Sequence, residues 1–507
     1  MYGFLYELKK DWPPLSWLAV CERGKSEIIV HHGRGVETHP EWFCEAVWDG
    51  DFKAGDFDLT DLVFGSGGRA RAEQTAFVSS GSTVDRLQHI RHGGKTLISN
   101  SLACLYANSA GWDVKGYSGF SKFFGSIVKG LDECERTVPV DGADLTYFSN
   151  VIWNGASLTV SDKPAPERDF SCFDAYHIFL QTALTRIGSN TRDQRRNWRL
   201  DLLGTVSTGY DSPTIAVLAR NAGLEEVLSF VTDRRGRRDD GSEIAARIGL
   251  RIKTLDRLAW KSRSKPEIPF IAADAKGEDI QFAGAEDDLR GRVLLTGYHG
   301  DKVWEKTNNA LQSTIVRGDR SGLSLTEYRL LIGMIHLPVP FMGIRDISQI
   351  NRISNSSEML PWDLNNDYNR PICRRILEQA GIPRQLFGQQ KKAASNLFSA
   401  GDECLTRGAR LDYHRWHKSS ANDLASTASR EDILGSFVSR SLVPELWSSI
   451  EPLTRVLLAG LPRRFREAMD WRLHQVRRRV NSSANHFFPS AFPWALQRLA
   501  SRYGSDR

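Results

Sequence analysis

Cysteine is scarce in this 507-residue chain: seven are scattered along it, at Cys21, Cys44, Cys104, Cys134, Cys172, Cys373 and Cys404. The number is odd and no two stand as Cys-x-x-Cys. That argues against a disulfide framework and a thiolate zinc site, and it fits a reducing compartment. Long apolar runs are missing too. Nothing approaches the roughly 18 apolar residues that a membrane-crossing helix needs. The stretch Met1–Lys10 is apolar only as far as Leu5, unlike a signal peptide. A cytoplasmic protein with no membrane partner is expected. A large charge excess is also lacking, because 67 Lys and Arg against 61 Asp and Glu leave only +6. So small a surplus does not call for nucleic acid as a partner. Internal repeats and low-complexity tracts are absent, which excludes solenoids and fibrous arrays.

What remains is an ordinary globular composition, 41% apolar and 25% charged, in a chain long enough for two or three domains. Residues 1–165 carry short β-type runs (Trp17–Cys21, Glu27–Val30, Ala76–Val78, Thr96–Ser99, Leu145–Phe148). Turns such as Asp49-Gly50-Asp51 and Gly65-Ser66-Gly67-Gly68 separate them. A Pro-rich stretch over 162–167 marks a boundary. Strands then alternate with helices: Leu202–Val206, a helix from Pro213, Val227–Val231, a helix over Asp240–Ile248, Arg251–Leu255 and Val293–Leu295. This rhythm predicts an α/β fold with a parallel sheet, whose ligands bind beyond the carboxyl ends of its strands. From about residue 320 the pattern turns helical (Glu327–Ile335, Arg374–Ala380, Leu446–Leu458, and a basic segment over Arg464–Arg478). The domains expected are therefore 1–165, 166–420 and a helical extension over 421–507.

Two stretches carry chemistry. In the first, Ser207-Thr208-Gly209-Tyr210-Asp211-Ser212 joins a strand to a helix start, which presents N–H groups to an anion. Gly209 can take a positive φ there, and Ser207, Thr208 and Ser212 add hydroxyls. Asp211 would repel phosphate unless a cation intervened, which suggests Mg²⁺. The plainer reading is a strand-to-helix turn capped by Ser212. In the second, Val293–Thr296 runs into Gly297-Tyr298-His299-Gly300-Asp301, another strand ending in a glycine-flanked acid. Two parallel strands would bring Asp211 and Asp301 to one sheet edge as a seat for Mg²⁺–pyrophosphate.

These residues resemble the asparagine synthetase superfamily. The first loop is similar to its SGGxDS pyrophosphate motif, and Leu294–Asp301 to its LLSGxGGD element. Phe230-Val231-Thr232-Asp233 resembles the adenine-side strand, and Asp239–Glu243 the acidic helix start that follows. Gly388-Gln389-Gln390-Lys391-Lys392-Ala393-Ala394-Ser395 resembles the segment of the catalytic lysine, with Lys391 the better match and Lys392 the alternative. Asp85-Arg86-Leu87 and Gly94–Leu102 resemble a stretch of the glutaminase-type domain. The resemblance implies an N-terminal Ntn-hydrolase-like α+β domain followed by a PP-loop ATPase-type synthetase domain. It implies ATP and Mg²⁺ as cofactors, with Ser207, Thr208, Gly209, Asp211, Ser212, Val231 and Gly297 contacting nucleotide. Asp211 and Asp301 would hold the metal, and Lys391 would stabilise the transition state.

The departures set the expected activity. Glutamine-using members expose a cysteine after Met removal, and Tyr2 cannot serve as that nucleophile. The resemblance therefore points to the glutaminase-inactive relatives, such as β-lactam synthetases and lasso peptide cyclases. The reaction implied is an ATP-dependent amide ligation releasing AMP and pyrophosphate, on a small molecule or peptide that supplies a carboxylate and an amine. In Ile335-His336-Leu337-Pro338-Val339-Pro340-Phe341, His336 stands where amidotransferases place a glutamate. An imidazole there is either a base or a packed core histidine. Tyr328 is a second proton-relay candidate. The alternatives are a PP-loop enzyme that adenylates a tRNA base and a non-catalytic regulatory relative. Gly94-Lys95-Thr96 fails as a Walker A loop because His89 stands where the first glycine is required. The pairs His31-His32 and His414/His417 lack further metal ligands nearby. The sequence leaves the oligomeric state open.

Overall fold

The computed structural model describes residues 2–109, 112, 114–139, 142–396, 404–425 and 488–504. The helices expected over 446–458 and 464–478 lie outside the described residues. Among these residues the fold is mixed α/β, with two six-stranded sheets and one five-stranded sheet.

Twelve strands in the first third form the two larger sheets. They are β1 (Gly3–Leu8), β2 (Trp17–Glu22), β3 (Glu27–His32), β4 (Glu37–Thr38), β5 (Trp42–Trp48), β6 (Val63–Ala70), β7 (Thr75–Val78), β8 (Leu87–His92), β9 (Lys95–Ser99), β10 (Asp144–Thr146), β11 (Ser149–Trp153) and β12 (Leu158–Asp162). The order is β1-β3-β2-β9-β8-β10 in one sheet and β12-β11-β7-β6-β5-β4 in the other, antiparallel except for the pair β1–β3. One core cluster joins residues of both: Trp17, Ile28, Leu87 and Ile98 from the first, with Phe43, Phe77, Val151 and Trp153 from the second. Alternating side chains thus bring two sheets together around shared aromatics.

Two expectations fail here. The run Gly65-Ser66-Gly67-Gly68 is not a turn but the middle of β6. A Cβ at Gly65 or Gly67 would collide with the Glu45 or Phe43 carbonyl of β5, so these glycines permit a close cross-strand approach. The strand expected over Leu145–Phe148 is broken: β10 stops at Thr146, and Phe148 takes φ +51° before β11.

The third sheet is wholly parallel and contains β13 (Asp201–Thr205), β14 (Glu226–Phe230), β15 (Arg251–Leu255), β16 (Arg292–Thr296) and β17 (Ile335–Pro338). Its order, β15-β14-β13-β16-β17, reverses direction between β13 and β16. The β17 strand corrects the helix expected to run to Ile335. The helix Leu325–Ile332 ends at Gly333, which has φ +81°, and Ile335 already belongs to the sheet.

The stretch after residue 162 is no free linker. Lys163 is buried and donates to Asn150 Oδ1 at 3.0 Å, while Arg345 donates to its carbonyl at 2.9 Å. Leu15, Val47, Phe64 and Phe148 share one apolar core with Phe173, Leu202, Leu295 and Leu337. Polar contacts cross the same seam. The Glu327 carboxylate accepts from Ser101 Oγ and the Leu102 amide, each at 2.7 Å, capping the helix Leu102–Asn108 from the other side. Arg329 is enclosed between Glu45 at 2.6 Å and Asp85 at 2.9 Å. The helix Phe488–Ala500 is tied to the helix Arg407–Ala425 through Trp494 and Arg498, which both donate to Asp412.

Candidate functional site

The two acid-bearing loops follow β13 and β16, the adjacent strands at which the sheet order reverses. Such a reversal opens a crevice beyond the carboxyl ends of the strands. A cavity of about 210 Å³ occupies it, and Ser207, Gly209, Asp211, Ser212, Gly297 and Asp301 all line it. The approach of the two loops depends on glycine. A Cβ at Gly297 would stand 2.5 Å from Asp211 Cβ, and one at Gly300 would stand 2.7 Å from Asp211 Cγ. Gly209 has no positive φ, and the nearest atom to an added Cβ would be Ser207 Oγ at 3.3 Å. The left-handed residue is instead His299, with φ +76°.

The first loop is held from within. Ser212 does not cap the helix Asp211–Ala219. Its hydroxyl accepts from the Ser207 amide at 3.0 Å. The Thr208 amide and hydroxyl both donate to Asp239, at 3.0 and 2.6 Å. The helix geometry leaves the Asp211 and Ser212 amides without intrahelical acceptors, so these remain the loop's natural anion donors.

Charge is balanced inside the cavity. Asp211 pairs with Arg370, whose Nε also lies 3.3 Å from Glu305. Burial raises the Asp211 pKa, Arg370 opposes the rise, and the charge of Asp301 adds to it. The ammonium of Lys391 lies 3.3 Å from Asp301. Lys392 donates to Thr208 Oγ1 at 2.8 Å and to the Arg238 carbonyl at 2.7 Å. The segment carrying both lysines lines the cavity from Lys391 to Ser395 and is anchored at both ends. The Gly388 amide donates to the Thr208 carbonyl at 2.9 Å, and the Asn396 amide to the Glu278 carbonyl at 2.8 Å. Of the basic run 234–238, Arg237 pairs with the buried Asp233 and donates to the Lys391 carbonyl at 3.0 Å.

One wall of the cavity is apolar: Leu228, Phe230 and Phe282, the two rings meeting edge to face with centroids 5.4 Å apart. Val231 does not line it. Its amide donates to Leu255 and its carbonyl accepts from Asp239, so both backbone groups are committed to the fold. His336 stays outside as well. Its Nε2 is 2.8 Å from Thr296 Oγ1, and Thr296 stands between it and the cavity. Burial depresses its pKa to about 4, so the ring is neutral, as in the packed-core alternative. Tyr328 is stacked on Phe270 and lines a different cavity, with Arg263 and Arg290.

Four carboxylates line the site (Asp211, Asp239, Asp301, Asp319) against three cations (Arg370, Lys391, Lys392). A bare triphosphate would meet net repulsion there, and a divalent cation between it and the acids would remove it. No group of three or more metal-ligating side chains occurs among the described residues. Asp211 and Asp301, the acids of the two loops, each already face a cation, Arg370 and Lys391; as hard oxygen donors they would suit Mg²⁺, which one or two carboxylates usually hold together with waters and phosphate oxygens.

Arg370, Tyr368, Asp239 and Asp319 line the site without having been found by sequence reasoning. Asp239 opens the acidic stretch Asp239–Glu243 of the resemblance, which gave it no place in the site. Arg370 and Tyr368 come from an irregular stretch with no local signal, and folding alone brings Arg370 to a residue 159 positions away. No family model matches this chain, and no curated protein matches it.

Proposed function

We propose that this protein is an ATP-dependent, AMP-forming amide ligase of the asparagine synthetase type, without glutamine hydrolysis. The observation that carries the reading is the pair of acid-bearing loops, 207–212 and 297–301, meeting across the point of strand-order reversal. The apolar wall of Leu228, Phe230 and Phe282 suits the flat face of a purine. The helix start at Asp211 and Ser212 suits the pyrophosphate. Mg²⁺ held by Asp211 and Asp301 would screen the polyphosphate charge.

In this reading a substrate carboxylate oxygen attacks the α-phosphorus, the α–β phosphoanhydride bond breaks and pyrophosphate leaves. An amine then attacks the acyl carbon, AMP leaves and the amine releases a proton. Lys391 and Lys392 line the same cavity as the two loops and hold one residue of each, Asp301 and Thr208. Exchanging those partners for phosphate oxygens supplies electrostatic stabilisation where charge develops.

The test is exchange of labelled pyrophosphate into ATP. A carboxylic acid should be required, and Asp211→Ala should abolish the exchange. Exchange that needs tRNA instead would favour a base-adenylating enzyme. If ATP bound wild type no more tightly than it bound the Asp211→Ala, Asp301→Ala double variant, a regulatory relative would be the better reading.

A further inference from the structure

A second cavity of about 710 Å³ meets the first at Asp319, which lines both. One wall comes from the first third of the chain, through Ser118–Lys129, and the other from Lys276 and Gly318–Arg320. The walls are bolted together by Arg320, which donates to Ser121 Oγ at 3.0 Å and lies 3.4 Å from Asp274. Four cations (Lys122, Lys129, Lys276, Arg320) face two acids, Glu135 and Asp319. Lys122 and Lys129 are exposed, and no acid lies within ion-pair distance of either among the described residues. Among the described residues the remaining lining is serine, glycine and one valine, with no aromatic ring.

We infer that this groove is the binding path for the second substrate of the proposed ligase, and that the substrate is an acidic peptide. The inference rests on the ligase reading for what the groove delivers to the cavity. The groove's own chemistry specifies the peptide. Lys122 and Lys129, which have no ion-pair partner among the described residues, select carboxylates. The exposed Ser118, the Ser121 hydroxyl hydrogen and glycine-bared backbone offer hydrogen-bonding groups to peptide amides, whereas the buried Ser126 hydroxyl is already taken by Phe123 and Glu135. Single-stranded nucleic acid would want aromatic faces for its bases, and the groove offers none. The join at Asp319 carries a chain lying in the groove to the mouth of the phosphate site.

The probes are three fluorescein-labelled chains read by anisotropy on the full-length protein: a ten-residue Glu-Ser alternating peptide, its Lys-Ser counterpart and a ten-nucleotide RNA. The Glu-Ser peptide should bind, more weakly as salt rises, and at least tenfold more weakly to the Lys122→Glu, Lys129→Glu variant. A fluorescent ATP analogue should bind that variant within twofold of wild type, because neither lysine lines the nucleotide cavity. Failure of the Glu-Ser peptide to bind, equal binding of the Lys-Ser peptide, indifference to the two charge reversals, or tighter binding of RNA would each overturn the inference. A lysine-dependent peptide site in a protein that does not bind the ATP analogue would sink the ligase reading and leave the acidic-peptide site standing.

Discussion

At the residue scale, the site is built by close approach rather than by flexible backbone. Gly297 matters because Asp211 occupies the space its side chain would take. Gly297→Ala should therefore cost nucleotide affinity by tenfold or more while the protein stays folded, and titration with a fluorescent ATP analogue checks it. Arg370 is the buried counter-charge of the half-buried Asp211. Its replacement by Met leaves Asp211 and Glu305 without that partner, which should destabilise the fold by about 3 kcal/mol. Urea denaturation measures that loss, and an unchanged midpoint would contradict the role. Asp211 and Asp301 could be picked out from sequence because each stands beside glycine at the end of a strand-like run, whereas Lys391 and Lys392 were marked only by resemblance to a family segment. Arg370 could not, since nothing near it in sequence marks its partner.

At the element scale, the connection after β12 holds the most telling titration. Burial lowers the Lys163 pKa from 10.5 to about 7, and the charge of Asp61 only partly offsets this. Between those values the unfolded chain binds the proton and the folded chain does not, so stability rises with pH across that window. Below pH 7 the cost of burying the ammonium is fully present. Lys163→Met should gain relative to wild type at pH 6 and lose about 2.7 kcal/mol of that advantage by pH 9, at about 1.4 kcal/mol per pH unit over the two units above the folded pKa. The comparison is the difference in denaturation midpoints at the two pH values, and an identical difference would rule the account out. The elements themselves were uneven in legibility. The strands β13, β14, β15 and β16 stood out as apolar runs between helical patterns. The four-residue β17 did not, because it begins three residues after a helix and ends on a proline. β6 was hidden by glycines that serve its close contact with β5.

At the scale of the whole molecule, the parts read as separate domains share one apolar core and a set of buried charges. Glu327 caps a helix on the far side of the seam, and Arg329 neutralises Glu45 and Asp85 there. Thermal unfolding should thus give one transition for residues 1–165 and the parallel-sheet part together, followed by circular dichroism and by tryptophan fluorescence. Two separated transitions would refute the shared core. Arg329→Met should lower stability by about 3–5 kcal/mol through the two buried carboxylates it abandons. The sequence by itself determined the parallel sheet and the two acid-bearing loops, because each is a local pattern of periodicity or of adjacent polar groups; the lysine segment was marked only by resemblance. Only the tertiary structure decided which strands lie side by side, and so that both loops open at the reversal of strand order. It also decided that Arg370 and Asp239 join them, that His336 and Val231 stand aside, and that a cationic groove adjoins the cavity. Those outcomes depend on contacts between residues far apart in the chain, where burial and charge pairing choose the partner and no local pattern records the choice.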